Sequence, residues 1–225
     1  MIKVEKLSKS YGKKVVLNDV TLEIPNNKIT FLIGENGVGK TTLLKTILKL
    51  ESYTGDVSFD GQSIDAAYGN ISAVYDDSPL YSGLSGYRNI QLLTNDEIGR
   101  EEITAVASRF LSPEELKRKI SNFSYGQRKK ISIIIALLNN SKYVFMDEVS
   151  SGLDYESMKY LKSYLKDLGK HSVVFLTGHQ FDFYNDIVDE VFILKNGFIS
   201  SYSVAAEQKI NLGNIYEETI KGVRD

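Results

Sequence analysis

Gly34-Glu35-Asn36-Gly37-Val38-Gly39-Lys40-Thr41-Thr42 fits the pattern G-x-x-x-x-G-K-[ST], a combination suited to gripping a polyphosphate. Glycines let consecutive backbone amides close around phosphate oxygens, and a helix beginning after them turns its positive end to the same anion. The Lys40 ammonium has the reach for β- and γ-phosphates, and the Thr41 hydroxyl is an oxygen donor for magnesium. Farther along, Tyr143-Val144-Phe145-Met146 is an apolar run ending in two acids, Asp147 and Glu148. An acid there can hold magnesium, directly or through water, while its neighbour orients and deprotonates an attacking water. The glycine-rich loop alone means a P-loop nucleoside triphosphatase and leaves kinases, GTPases and motors open.

These groups need a scaffold, and the hydrophobic pattern describes one. Lys28 to Ile33, directly before the loop, is a short apolar run of the kind expected for a strand buried on both faces. Thr42 to Leu50, after it, has apolar residues at helical spacing. Ile2 to Leu7 and Val20 to Ile24 alternate as strands, the second closed by a Pro25-Asn26-Asn27 turn. Gly55 to Phe59 and Ile71 to Tyr75 are further strands. From Ser85 to about Ser121 the pattern is polar, charged and helical, with a helix start at Pro113, and reads as a small lobe. Helix and strand then alternate: a helix from about Gly126 to Leu138, the strand Tyr143 to Asp147, the helix Tyr155 to Leu168 with Met158, Leu161, Leu165 and Leu168 on one face, and the strand Val173 to Thr177. A last strand, Val191 to Lys195, enters an Asn196-Gly197 hairpin. The fold class is α/β with a mostly parallel core sheet, right-handed crossovers and ligands at the carboxyl ends of the strands.

At 225 residues the chain can bury a full core, and 42% apolar with 25% charged residues is ordinary for a globular protein. A formal net charge of -2 leaves no basic footprint, so nucleic acid is not an expected partner. There are no cysteines, which excludes disulfides and thiolate metal sites, and two histidines, His171 and His179, are too few for a His-based metal cluster. The start shows no secretory signal pattern. The longest apolar run, Ile131 to Leu138, falls far short of the roughly 20 residues that span a bilayer. The expectation is a cytoplasmic protein whose membrane function, if any, comes through another chain.

Phe123-Ser124-Tyr125-Gly126-Gln127 resembles the ABC signature Leu-Ser-Gly-Gly-Gln, and Arg128-Lys129-Lys130 follows it as a basic patch does in that family. Ser150-Ser151-Gly152-Leu153-Asp154 resembles the family's D-loop, and Leu176-Thr177-Gly178-His179 ends a strand as its switch histidine does. Tyr11, in Ser10-Tyr11-Gly12, stands where the family places an aromatic that stacks on adenine. Together these motifs identify the chain as a member of the ABC transporter ATP-binding subunits, over nearly its whole length. The resemblance implies a P-loop NTPase with an N-terminal antiparallel β subdomain, a RecA-like core of about 1–75 and 122–225, and an inserted helical lobe of about 76–121, all within one ATPase domain. It implies ATP and Mg2+ as cofactors. Gly34 to Thr42 bind the phosphates, Thr41 and Asp147 hold the metal, and Lys40, Glu148 and His179 act on the γ-phosphate. A helix starting near Ser124 has amides without helical partners, and with the Ser124 hydroxyl, Gly126 and Gln127 they bind the nucleotide of an opposite subunit. The partners implied are a second ATPase subunit, in a homodimer or heterodimer, and a transmembrane permease on a separate chain that keeps the protein at the inner face of the cell membrane.

Two departures stand out. After Ile71 to Tyr75 the family usually has a glutamine that contacts magnesium. Here Asp76 occupies that position, followed by Asp77, and a carboxylate could still approach the metal through water. A carboxylate there, with Leu84-Ser85-Gly86-Tyr87-Arg88-Asn89-Ile90 after it, resembles drug, peptide and polysaccharide exporter subunits of the ABC-2 type. The signature carries Tyr125 in place of its first glycine, which implies slow or partner-dependent hydrolysis. An ATPase serving a non-transport machine, or an ATP-binding regulator, are the alternatives. Glu148 and His179 speak against the regulator.

Overall fold

The strand β3 (Lys28–Ile33) is buried at all but its first residue and has a hydrogen-bonded neighbour on each edge, which puts it inside a six-stranded sheet. The computed structural model describes residues 1–76, 79–94, 98–202 and 209–222. Edge to edge the sheet runs β5 (Ile71–Val74), β6 (Tyr143–Met146), β7 (Val173–Thr177), β3, β8 (Glu190–Lys195), β9 (Phe198–Tyr202). Every pairing is parallel except that of β8 with β9. Those two form the hairpin foreseen at Asn196 and Gly197, whose φ angles of 52° and 81° are what such a turn demands.

A separate antiparallel sheet places β1 (Ile2–Tyr11) between β2 (Lys14–Ile24) and β4 (Thr54–Phe59). Both β1 and β2 run longer than the alternation predicts. Lys6 and Asp19 each take a left-handed φ of 52°, and the register shifts between Val4 and Ser10. Such bulges break the period of two without ending the pairing.

Successive residues of the core strands point to opposite faces, and each face has its own apolar cluster. Leu32, Phe145 and Phe175 pack with Leu43, Leu44 and Ile47 of α1 (Lys40–Ile47) and with Ile2, Leu17 and Phe59 of the antiparallel sheet, near the short α2 (Ile64–Ala67). Phe31, Val144, Met146, Val174 and Leu176 face the other way. They meet α6 (Tyr125–Asn139) and α7 (Tyr155–Leu168), whose Leu161, Leu165 and Leu168 are buried as the helical spacing predicts. Each such side chain taken from water contributes about 1.5–3 kcal/mol before conformational entropy is subtracted.

Between β5 and α6 lie α3 (Gly86–Leu93), α4 (Arg100–Ala107) and α5 (Pro113–Lys117). Pro113 opens its helix behind a Ser112–Glu115 capping box. These helices share a core with the sheet: Ile90, Ile103, Leu116 and Phe123 belong to the same cluster as Val74 and Ile131. The chain closes through α8 (Phe181–Tyr184) and α9 (Leu212–Tyr216), the latter extending into a π-helical turn at Glu217–Lys221. Asp77 lies outside the described residues. Among the described residues no helix is long and apolar enough to cross a membrane.

Candidate active site

The loop after β3 leads into α1 through Gly37 and Gly39, with φ of 75° and 119°. Gly39 is the helix N-cap and has no side chain to spend on the first turn, so the amides there point outward. A Cβ on Gly34 would lie 2.7 Å from the Leu194 carbonyl oxygen, and one on Gly39 would lie 2.7 Å from Val16 Cγ1. The Gly34 backbone therefore packs on the Leu194 main chain, and the Gly39 backbone on the Val16 side chain. Glu35 and Asn36 are exposed, Val38 is half-buried, and Val38 N–H closes a turn onto the Glu35 carbonyl at 3.3 Å. The Lys40 ammonium is buried and donates to the carbonyls of Gly34 (2.8 Å) and Glu35 (3.0 Å). Burial lowers its pKa, while Glu148 and Asp147 oppose that shift. Asn36, Gly37, Gly39, Lys40, Thr41, Thr42 and Glu148 line a cleft of about 190 Å³.

The two acids at the end of β6 face this loop. Thr41 Oγ1 donates to Asp147 Oδ2 at 2.5 Å, and Thr177, the last residue of β7, donates to Oδ1. A hydroxyl and a carboxylate in contact are a hard oxygen set that fits magnesium, an ion held by one or two protein oxygens together with phosphate. Glu148 has a left-handed φ of 52°, and its amide donates to the Thr177 carbonyl at 3.2 Å. His179 Nε2 stands 3.1 Å from Glu148 Oε1. Burial pushes the Glu148 carboxyl above the usual glutamate range, opposed by His179 and Lys40 and aided by Asp147 and Asp76. Tyr11 is exposed at the end of β1, its hydroxyl donating to Glu51, with the Lys9 ammonium 4.7 Å from its ring.

Ser124 is the N-cap of α6. Its Oγ accepts from Gln127 N–H at 3.2 Å, and Gln127 Oε1 accepts from Ser124 N–H at 3.0 Å. Gln127 Nε2 also donates to Glu115 Oε1 at 2.7 Å, tying the turn to α5. Gly126 packs so tightly that a Cβ would lie 2.4 Å from the Gly152 carbonyl oxygen. Asp154 caps α7, accepting from Ser157 N–H at 2.9 Å.

Arg128, Lys129 and Lys130 do not form one basic patch. Arg128 donates to the Phe123 carbonyl, Lys130 pairs with Asp154, and Lys129 is 2% exposed. The Lys129 ammonium reaches Asp76 Oδ1 at 3.0 Å and the Asp147 carbonyl at 3.3 Å. Asp76 Oδ1 also accepts from the Tyr125 hydroxyl. Thr177 and Lys129 had no role in the sequence reading. Thr177's position just ahead of Gly178-His179 was the available signal, whereas nothing in a run of three cations marks the middle one as buried.

Residues 17–151 match the ABC transporter family. The chain belongs to that family. It is 30% identical over 97% of its length to the lantibiotic transport ATP-binding protein SrtF of Streptococcus pyogenes, covering 95% of that protein. It is 27% identical over 98% of its length to the bacitracin transport ATP-binding protein BcrA of Enterococcus faecalis, covering 72% of it. In fold it is similar to an ATP-binding cassette solved as a dimer in a post-hydrolysis state with ADP and Pi, at TM-score 0.80 and 22% identity over 92% of this chain and 100% of that one. ABC membership carries ATP binding and hydrolysis that drive transport through a separate membrane subunit.

Proposed function

We propose that this chain is the ATP-hydrolysing subunit of an exporter of peptide cargo, working in pairs at the inner face of the membrane on a separate permease. The observation that carries the catalytic part is the contact of Asp147 with Thr41 beside the Glu148–His179 pair, at the mouth of the cleft lined by the P-loop. The outward direction and the peptide cargo are supported by the likeness to lantibiotic and bacitracin transport subunits.

In this reading Tyr11 offers a face to adenine, and the amides from Gly34 to Thr42 with Lys40 hold the phosphates. Thr41 and Asp147 would hold Mg2+, which neutralises phosphate charge when bound. Glu148 orients the attacking water and takes its proton, and burial, by raising its pKa, makes it a stronger base than an exposed glutamate. His179, whose Nε2 stands 3.1 Å from Glu148 Oε1, would face the γ-phosphate. Ser124, Gly126 and Gln127 at the start of α6 reach the nucleotide of the second subunit, so that two ATP molecules join two chains.

The test is Glu148→Gln. Turnover should fall about a hundredfold or more, while the variant should form a dimer in ATP and magnesium that disperses in ADP, read by size exclusion with light scattering. A variant that hydrolyses ATP as fast as wild type would remove Glu148 from the chemistry.

A further inference from the structure

Lys129 is the one lysine of the Arg128–Lys130 run whose ammonium is withdrawn from solvent, its side chain being 1% exposed. Desolvating an ammonium is costly unless it is paired and hydrogen-bonded, so its partners show what it is for. They are Asp76 Oδ1 at 3.0 Å, the main-chain carbonyl of Asp147 at 3.3 Å, and the face of Tyr125, 5.9 Å from the ring centroid. Tyr125 and Lys129 are four residues apart on α6, hence on one face, and both side-chain heads converge on the same carboxylate oxygen. Asp76 follows β5, and the amide of Asp147 donates to the Val74 carbonyl at 2.8 Å, so the ends of β5 and β6 are already joined.

We propose that Lys129 is a positioning residue: with Asp76 it forms an internally neutral clamp that fixes the signature turn, through the Tyr125 hydroxyl, to the strand end carrying Asp147 and Glu148. The carboxylate at position 76 then serves as the anchor of this clamp and not as a magnesium ligand. Its charge is balanced by an ammonium of the same chain. Through the clamp, a shift of the α6 N-terminus is passed to the backbone of the residue whose carboxylate contacts Thr41. What is positioned rests on the ATPase reading above; the clamp itself does not.

Four proteins test it: wild type, Asp76→Asn, Lys129→Met, and the double variant. Urea unfolding without nucleotide should show that the two losses are not additive. The double variant should be more stable than Asp76→Asn alone, because it no longer buries an unpaired ammonium. In steady state, each single change should lower kcat at least about fivefold with KM for ATP little altered, and the double variant should recover part of the loss over Asp76→Asn. Should Asp76→Asn fail to fold, Tyr125→Phe keeps the ring, removes the tether, and should lower kcat without moving KM. Additive effects of the two single changes would overturn the proposal. So would coupling seen in unfolding with kcat unchanged, or an Asp76→Asn variant whose chief defect is a higher magnesium requirement. A wild type without turnover would sink the ATPase reading alone, and the unfolding cycle would still decide the clamp.

Discussion

Thr41 donates to one oxygen of Asp147 and Thr177 to the other, so both oxygens of this carboxylate are oriented by the protein itself. In Asp147→Asn the amide keeps roughly the shape and loses the charge that suits a divalent ion. Binding of a fluorescent ATP analogue in magnesium should weaken about tenfold or more, whereas binding measured in EDTA should change little. Equal weakening in both buffers would mean that Asp147 acts on the loop and not on the ion. At this scale the sequence was informative where a residue's type and its place after a strand sufficed, as for Lys40, Thr41, Asp147 and Glu148. It was silent on Lys129 because burial is a tertiary property: α6 places Arg128 and Lys130 on other faces, and the approach of the β5 and β6 ends covers the middle cation.

Helix α7 illustrates how one side chain serves two elements. Asp154 caps it and also accepts from Lys130 on α6. The hydrogen bond from Lys130, joined by that from the Ser157 amide, holds the Asp154 carboxyl down to about 2. Because the folded value lies below the unfolded one near 3.8, the stabilisation is present above that range and is lost as pH falls through about 2. Asp154→Ala should cost about 1 kcal/mol at neutral pH through the missing cap. The gap between variant and wild type in urea unfolding should narrow as pH drops from about 5 toward 2. A gap independent of pH would assign the whole effect to helix propensity. The elements with strict periodicity, β3, β7 and α7, lie where the pattern put them, because one face or both are buried without interruption. The hairpin of β1 and β2 was only partly legible. Its left-handed Lys6 and Asp19 shift the register, and its outer turn, around exposed Tyr11 and Lys14, carries no alternation.

For the molecule as a whole, the paired reading makes stability a function of concentration. If two chains share two nucleotides, the Tm of Glu148→Gln in ATP and magnesium should rise with protein concentration, and in ADP it should not. A Tm indifferent to concentration in ATP would mean that each chain holds its nucleotide alone. Strand–helix alternation after Gly126 made the parallel sheet legible. The fusion of α3, α4 and α5 with the main core was not, since Ile90 and Leu116 share a cluster with Val74 and Ile131, residues distant from them in sequence.

The position of β3 has a consequence for how the chain is made. Its two neighbours are β7, beginning at Val173, and β8, beginning at Glu190, and among the described residues no earlier strand pairs with it. During synthesis, the strand carrying the P-loop leaves the ribosome with both edges bare and waits on the order of ten seconds for its partners. The antiparallel sheet, complete once Phe59 has emerged, can form long before. Nucleotide binding is thus a property the nascent chain acquires late, and Lys28–Ile33 is a stretch that a chaperone has reason to shield.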